Sequence, residues 1–308
     1  MAKTANGAEY TVCNLCGADE GEPLFTSPDL HLGGLERFEM VRCRRCGLIY
    51  LNPRPGGERL ADFYPDDYAV FQEDRWSLGV RVRRLHVRLR AAWLGRLLPR
   101  GGRVLEIGCG RGELLTALRD RGLEVEGVDL SPQAVRMASR SGIRVVQGTI
   151  LTAGFAEESY DLIVMAQVLE HIPDPLGTLQ RVRALLRPKG WLYIEVPNAG
   201  SFESRLFGRY WGGWDVPRHL YGFSPTTLAA LVERAGLSLH RMHFLASPTT
   251  GVWGIVNLLR YSKLQALLLR HGREKAVRVV TRLLLWPWYL CARAAGQSGI
   301  FAAVCQKT

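Results

Sequence analysis

The segment Arg103–Leu115, RVLEIGCGRGELL, constrains the fold more than any other part of the sequence. A short run of strand character leads into glycines at every second position, Gly108, Gly110 and Gly112, and a helical pattern follows. Glycines between a strand and a helix N-terminus let the backbone approach a ligand closely. We therefore expect an α/β sheet with a ligand site at the carboxyl end of this strand.

Strand-like and helical patterns alternate along the chain after this turn. Helical patterns begin at Pro132, Pro175 and Pro225. The predicted strands are RVLEI, EVEGVDL, IRVVQG, YDLIVMA, WLYIEV and a final GIFAAVCQK. This alternation is typical of a doubly wound parallel sheet with helices on both faces. A chain of 308 residues that is 47% hydrophobic can bury such a core beside a smaller module.

Four cysteines near the N-terminus form two closely spaced pairs. Cys13 with Cys16 and Cys43 with Cys46 give the pattern C-x2-C-x26-C-x2-C, with a glycine after each pair. Two such turns each aim two thiolates at one point, and four thiolates satisfy tetrahedral zinc. Disulfides or a redox pair suit neither the doubled spacing nor a chain that we expect in the cytoplasm. We predict a zinc ribbon whose closed metal site is structural and not catalytic.

Acidic residues around the glycine turn indicate which cofactor it holds. Asp129 lies 21 residues after Gly108, at the end of the second predicted strand, where an acid accepts hydrogen bonds from ribose hydroxyls. Glu113 stands where a pyrophosphate-binding turn has its third glycine, and a carboxylate there would repel a diphosphate. Glu106 adds a second acid. This set disfavours a dehydrogenase and suits S-adenosylmethionine (SAM), which carries a sulfonium, an ammonium and no phosphate.

Several motifs in order resemble those of the class I SAM-dependent methyltransferases. VLEIGCGRGELL resembles their first motif, VEGVDLS their ribose-binding acid, and YDLIVMAQVLEHIPDP their fourth strand and its following loop. The cysteine module followed by NPRP, together with WGGWDVPRHLYGFSPTTLAALVERAGL, is similar to a subgroup that modifies small molecules in ubiquinone-type, saccharide and natural-product pathways. The resemblance implies a seven-stranded Rossmann-like sheet and SAM as cofactor.

The resemblance also implies which residues hold the cofactor. They are Glu106, Gly108, Gly110, Asp129, Leu130, Thr149 and Gln167. In this assignment Asp129 binds the ribose, Leu130 packs against the adenine, and Gln167 reaches the methionine part of SAM. Many family members have an acid after the third strand, where this chain reads QGTI, so Thr149 or a backbone group serves. Glu106 either contacts the cofactor or only braces the turn.

Two loops supply candidates for proton transfer to or from the acceptor. EHIPDP contains His171, and WDVPRHLYGF contains His219 and Tyr221. Histidine is the side chain best suited to proton removal near neutral pH. We predict His219, His171 and Tyr221 as catalytic residues; the alternative for each histidine is to hold its loop by hydrogen bonding. Arg218 pairs either with an anionic substrate group or with Asp215.

The net charge of +11 is concentrated in two segments. Arg75–Arg100 has eight arginines and no acid, and Gly251–Thr308 has nine lysines and arginines against Glu274 alone. From Arg81 apolar positions recur at helical spacing, which predicts a basic amphipathic helix. The tail VVTRLLLWPWYLCARAAG forms either a lid over the substrate or an interfacial segment on a membrane. Nucleic-acid binding is the weakest interpretation, because no stacking-aromatic module of a usual type is present.

These observations predict a SAM-dependent methyltransferase that acts on a small molecule, anionic or lipid-linked in some interpretations. An RNA methyltransferase and a non-catalytic SAM-binding partner protein remain alternatives. Because no apolar run approaches roughly 20 residues, we expect a cytoplasmic protein, with peripheral membrane contact left open. The expected organisation is a zinc ribbon at 1–60, a linker and basic helix at 61–100, and a methyltransferase domain at 101–308, with a substrate loop at 200–224 and a lid or interfacial segment at 249–297.

Overall fold

The computed structural model describes residues 7–64, 78–262 and 274–308. The strands are β1 (Ala8–Glu9), β2 (Gly21–Pro28), β3 (Arg37–Cys43), β4 (Ile49–Leu51), β5 (Arg54–Pro55), β6 (Arg103–Ile107), β7 (Glu124–Asp129), β8 (Arg144–Gln147), β9 (Tyr160–Ala166), β10 (Leu186–Pro197), β11 (Tyr221–Gly222), β12 (Ser238–Phe244) and β13 (Ile300–Gln306). The α-helices are α1 (Gly57–Leu60), α2 (Leu78–Gly95), α3 (Glu113–Arg119), α4 (Pro132–Arg140), α5 (Pro175–Leu185), α6 (Phe202–Phe207), α7 (Pro225–Arg234), α8 (Thr249–Arg260), α9 (Glu274–Leu284) and α10 (Trp286–Ala294).

A seven-stranded sheet forms the centre of the molecule, in the order β12-β13-β10-β9-β6-β7-β8. The strands from β10 to β8 run parallel, whereas β13 is antiparallel to both of its neighbours. Leu105, Ile163 and Ile194 are fully buried in the middle of the sheet. The doubly wound Rossmann-like fold is confirmed, and all six predicted strands are present. The residue pattern did not predict β12, which is only partly buried.

The cysteine module and the substrate loop share a second sheet, with the order β11-β4-β3-β2. The strand β11 of the substrate loop pairs antiparallel with β4 of the module, with Tyr221 opposite Tyr50. The predicted boundary between the cysteine module and the rest of the chain, at residue 60, stays a prediction. The second sheet contains strands from both sides of this boundary. The module therefore supports one end of the loop that we expected to contact substrate.

The first half of helix α2 presents a different face to the core than its sequence pattern predicts. Ala91 and Leu94 are fully buried, and Trp93 and Leu97 of the apolar stripe pack against the core. Val82, Leu85 and Leu89, the earlier positions of the same stripe, are 45–58% exposed. Arginines of the same helix pair with carboxylates at the edge of the cofactor region, and the first half of the apolar stripe lies outside.

Candidate active site

The carboxyl end of β6 leads into the glycine turn as the sequence predicts. Gly108 and Gly110 have φ of 66° and 51°, a left-handed conformation that favours glycine. A Cβ atom on Gly108 would lie 2.5 Å from a methyl group of Val168, so no larger residue fits there. The glycine turn thus packs directly against Val168, which precedes the 3-10 turn Leu169–His171.

Backbone groups of two turns fix the carboxylate of Asp129. The amide of Gly110 donates to Oδ2 at 2.8 Å, and the amide of Ser131 donates to Oδ1 at 2.9 Å. Each carboxylate oxygen keeps further acceptor capacity. Asp129 is therefore held at the end of β7 in an orientation in which it can accept hydroxyl donors.

Glu106, Gln167 and Glu195 lie at the ends of β6, β9 and β10. One oxygen of Glu106, Oε2, is buried without a hydrogen-bond partner among the described residues. Burial raises the pKa of Glu106 to about 8. The backbone amide of Gln167 donates to the Glu195 carbonyl at 2.8 Å, and its side-chain amide lies 3.3 Å from Oε1 of Glu195. The Gln167 side chain therefore already has a hydrogen-bond partner. A ligand would contact Gln167 through its backbone or through the other side of the side-chain amide.

The expected adenine side of the site lies beyond Asp129. Leu130 is 69% exposed and offers an apolar surface next to that carboxylate. Thr149 lies in the neighbouring turn, because the amide of Gly148 donates to the Asp129 carbonyl at 3.0 Å. The Thr149 hydroxyl lies 3.1 Å from that of Thr152. The structure thus places both residues beside Asp129, and their contact with adenine remains a prediction.

The donors and acceptors of this edge fit SAM. The buried Glu106 oxygen that lacks a partner in residues 7–64, 78–262 and 274–308 suits a cationic ligand, because an ionised carboxylate without a partner is costly to bury. Asp129 supplies a fixed acceptor for a ribose. Glu113, the acid that replaces the third glycine, pairs with Arg83 of α2 at 2.6 Å at the start of α3. A carboxylate at the first turn of a helix also interacts favourably with the helix dipole.

Two histidines and a glutamate meet at the other side of the glycine turn. The rings of His171 and His219 contact edge to face, with centroids 4.5 Å apart. The Nδ1 atom of His171 lies 3.0 Å from the Arg218 carbonyl, and that of His219 lies 2.8 Å from the Gly213 carbonyl. A carbonyl only accepts, so both neutral rings carry their proton on Nδ1 and leave Nε2 as an acceptor.

Burial controls the charge of this cluster. Burial, and then the neighbouring His219, lower the pKa of His171 to about 3, and burial also lowers the pKa of His219. Burial raises the pKa of Glu170 to about 8, and both of its carboxyl oxygens lack a hydrogen-bond partner among the described residues. At neutral pH the cluster is therefore largely uncharged. One ligand atom each from Glu170, His171 and His219 also lie within 4.8 Å of one another, a set that could bind a metal ion.

Arg218 forms an ion triad with Asp29 and Asp215 that supports the loop containing His219. Arg218 is fully buried and donates to Asp29 at 2.7 and 2.9 Å and to Asp215 at 2.7 and 3.0 Å. Burial alone would raise the pKa of Asp215, but hydrogen bonds from Arg218 outweigh it and hold that pKa well below its usual range. Of the two predicted roles for Arg218, the pair with Asp215 is present. An anionic substrate has no access to this guanidinium.

The Tyr221 hydroxyl has hydrogen-bond partners that differ from those of the histidine pair. Its hydroxyl donates to the Pro173 carbonyl at 3.0 Å and accepts from Arg54 at 3.2 Å, and the ring is buried. The hydroxyl thus joins the cysteine module to the loop that follows β9. These two hydrogen bonds support a positioning role, and proton transfer by Tyr221 stays a prediction.

The four cysteines converge as the spacing predicts. The Sγ atoms of Cys13 and Cys46 are 3.4 Å apart, those of Cys16 and Cys43 are 3.5 Å apart, and all four lie within 4.8 Å of one another. Tetrahedral zinc with bonds of about 2.3 Å requires sulfur atoms about 3.8 Å apart. Gly17, which follows the first pair, has a φ of 76°. The donor set and its spacing fit zinc.

Residues from distant segments, which the sequence pattern does not predict at this site, also reach this region. Arg90 of α2 pairs with Glu195 at 2.6 Å, and the Tyr193 hydroxyl donates to the same carboxylate at 2.8 Å. The hydroxyl of Tyr64 lies 2.9 Å from Nδ1 of His171. For Tyr64 the sequence contains a signal, the aromatic stretch FYPDDYAVF, which is suited to cover a pocket or to pack between modules. Tyr68 of that stretch lies outside the described residues.

The seven-stranded sheet and the acid-bearing glycine turn together define a class I SAM-dependent methyltransferase. Residues 80–241, more than half of the chain, match a sequence model described as a methyltransferase domain. The chain belongs to this methyltransferase family.

Curated relatives and solved structures agree with this assignment. The chain is 28% identical over 208 residues to a ubiquinone biosynthesis O-methyltransferase of Bordetella avium, covering 62% of this chain and 86% of the relative. It is 30% identical over 191 residues to a protein of the same name from Xanthomonas axonopodis pv. citri, covering 56% and 80%. A SAM-dependent methyltransferase structure from Archaeoglobus fulgidus shares the fold, with a TM-score of 0.50, 21% identity, and coverage of 73% and 94%.

Proposed function

We propose that this methyltransferase methylates a hydroxyl oxygen of a small molecule and that the pair His171 and His219 accepts the hydroxyl proton. One observation carries the proposal: carbonyl partners fix both rings with the proton on Nδ1, beside the carboxyl of Glu170, which has no hydrogen-bond partner within the described part of the chain. Two unprotonated Nε2 atoms in one cluster are suited to general-base catalysis.

The contact between Gly108 and Val168 supports this placement of the base. Val168 immediately precedes the 3-10 turn Leu169–His171 and packs on the glycine turn of the cofactor region. The base and the methyl donor would then lie at the same edge of the sheet, at the carboxyl ends of β6 and β9. Methyl transfer is an in-line displacement, so such alignment is the main task of the protein.

SAM, when bound, supplies a methyl group on a positively charged sulfur. In the proposal, Asp129 accepts hydrogen bonds from the ribose, Glu106 faces the cationic end, and Leu130 packs against the adenine. Gly108 and Gly110 give the backbone its close approach, and Thr149 and Gln167 border the site. These roles rest on the positions of the residues at the ends of β6, β7, β8 and β9.

The electrostatics of the histidine cluster favour an acidic hydroxyl as acceptor. Burial holds the pKa of His171 at about 3, so its ring is uncharged and ready to accept a proton, but it is a weak base. The charge of Asp215 stabilises the protonated ring. Such a base deprotonates a phenol, with a pKa of about 10 as in tyrosine, more readily than a sugar hydroxyl. The O-methyltransferase names of the relatives support the same choice.

The four-cysteine group, in the proposal, holds a structural zinc ion. Its role is to fold the module whose strand β4 pairs with β11 of the substrate loop. A closed site of four thiolates has no position for substrate. Zinc therefore contributes to methyl transfer only by supporting the loop that carries His219.

The test is methyl transfer to matched acceptors. Purified protein is incubated with methyl-labelled SAM and a catechol, the same compound with its oxygens blocked, an amine analogue, a saccharide, or a structured RNA. We expect label only on an oxygen of the catechol, located by mass spectrometry. Label on nitrogen or carbon, or preferred transfer to RNA with steep loss at higher salt, would overturn the proposal.

A further inference from the structure

We propose that the outer surface of α9, α10 and the adjoining α6 docks on the surface of a membrane that contains anionic phospholipids. The inference concerns a surface outside the cofactor region and does not depend on the reaction proposed above. No described helix is long and apolar enough to cross a bilayer, so the contact would be peripheral.

The outer face of these helices is apolar. One stripe faces inward, with Tyr289 and Ala292 buried. The opposite side presents apolar side chains that are 39–73% exposed: Val279, Val280, Leu283, Leu284, Trp286, Trp288 and Leu290. A helix on a protein surface normally turns polar residues outward. Helices α9 and α10 instead expose apolar side chains. Their exposed side is therefore suited to contact with another apolar surface.

The surface continues onto α6. The rings of Phe202 and Trp288 have centroids 5.2 Å apart, and Leu206 is 63% exposed. Helix α6 begins five residues after Pro197, the end of β10. The apolar surface therefore borders the edge of the sheet at which the cofactor residues lie.

The charge around this surface favours anionic lipid as the occupant. Arg282 and Arg293 of the helix pair and Arg205 of α6 are exposed. Within α9 and α10 the sequence has four lysines and arginines and one acid, Glu274. Basic residues beside exposed tryptophans and leucines are typical of helices that lie in the membrane interface.

A second copy of the chain fits this surface less well. A two-fold symmetric contact would bring two copies of the same basic patch together, and their like charges would repel. An acidic partner protein would satisfy the charges, but an anionic lipid surface satisfies both the charges and the exposed apolar side chains. Both alternatives become outcomes of the experiment.

The experiment measures co-sedimentation of the full chain with phosphatidylcholine vesicles, with and without phosphatidylglycerol, at low and high salt. We expect binding only to the anionic vesicles, weakened by salt. The double variant Leu283→Glu/Leu284→Glu should lose binding, and Arg282→Glu/Arg293→Glu should bind about tenfold or more weakly. Leu35→Glu, on the 99% exposed Leu35 of the cysteine module, is the matched control and should bind like the wild type.

SAM binding by calorimetry on the same preparations verifies that each variant is folded. Absence of wild-type binding to anionic vesicles at low salt would overturn the proposal, as would equal binding by Leu283→Glu/Leu284→Glu. A wild-type dimer in light scattering that dissociates in that double variant would assign the surface to a second copy instead. Failure of methyl transfer leaves this result unaffected, because vesicle binding requires no acceptor.

Discussion

Arg218 and Asp29 form a buried bidentate ion pair between residues 189 positions apart in the sequence, with distances of 2.7 and 2.9 Å. Asp29 directly follows β2 of the cysteine module, and Arg218 precedes His219 in the substrate loop. Asp215 holds the other side of the guanidinium. The pair therefore couples the position of a candidate base to the folding of the module.

Replacing Asp29 by Asn should destabilise the protein and misplace the substrate loop. The change leaves a buried guanidinium with one carboxylate, so we expect the free energy of unfolding to fall by about 3 kcal/mol in a urea titration. Acceptor turnover should fall as well, with SAM affinity retained. The control Glu22→Gln removes an exposed pair with Arg44 and should cost under about 1 kcal/mol. Equal losses in the two variants would refute the coupling.

Removing the metal of the module should affect the acceptor side of the site before the cofactor side. In Cys43→Ser we expect zinc loss by elemental analysis, loss of the β4–β11 pairing, and a decrease in acceptor turnover. SAM binding should persist, because the glycine turn and Asp129 lie on the other sheet. The exposed Cys291 provides the control variant Cys291→Ser. A wild-type protein that binds no zinc would contradict the prediction.

Asp129→Ala should weaken SAM binding. Hydrogen bonds to a charged group are each worth about 1.5–3 kcal/mol, so we expect the dissociation constant from calorimetry to rise about 10- to 100-fold. Circular dichroism should remain native. Asp120→Ala, at an exposed acid after α3, should bind SAM like the wild type. The assignment of Asp129 fails if its variant and this control give the same affinity.

SAM affinity should depend on the ionisation of Glu106. Burial raises the pKa of this carboxyl to about 8, so it is mainly protonated at pH 7 in the free protein. A bound cation favours the carboxylate, so binding releases a proton and affinity rises with pH up to about 8, by at most about tenfold per unit. Affinity is correspondingly lost as pH falls. Calorimetry on Glu106→Gln isolates this effect, since the amino group of SAM titrates in both samples; parallel curves would contradict it.

The central sheet was predictable because its strands are buried on both faces and read as continuous apolar runs, as in YDLIVMA of β9. Helix starts were predictable from proline, and Ser131, Asp174 and Ser224 do cap those helices. The glycine turn and its acids were also evident, because their spacing is local.

Contacts between distant segments could not be predicted. The pattern of α2 suggested an inward apolar face, but Arg83 and Arg90 pair with Glu113 and Glu195, and a single helix pattern carries no information about those partners. The pairing of β11 with β4 involves a two-residue strand, too short to give a periodic signal. The contacts of Tyr221 with Arg54 and Pro173 could therefore not be predicted.

The most direct test of the proposed mechanism compares acceptor kinetics and SAM affinity in His171→Gln and His219→Gln. With SAM saturating and a catechol as acceptor, we predict that kcat falls about 10²- to 10⁴-fold in at least one variant, the range for loss of a general base. The SAM dissociation constant should stay within about twofold of the wild type, because neither ring contacts Asp129 or the glycine turn. Wild-type turnover in both variants would contradict a histidine base at this site.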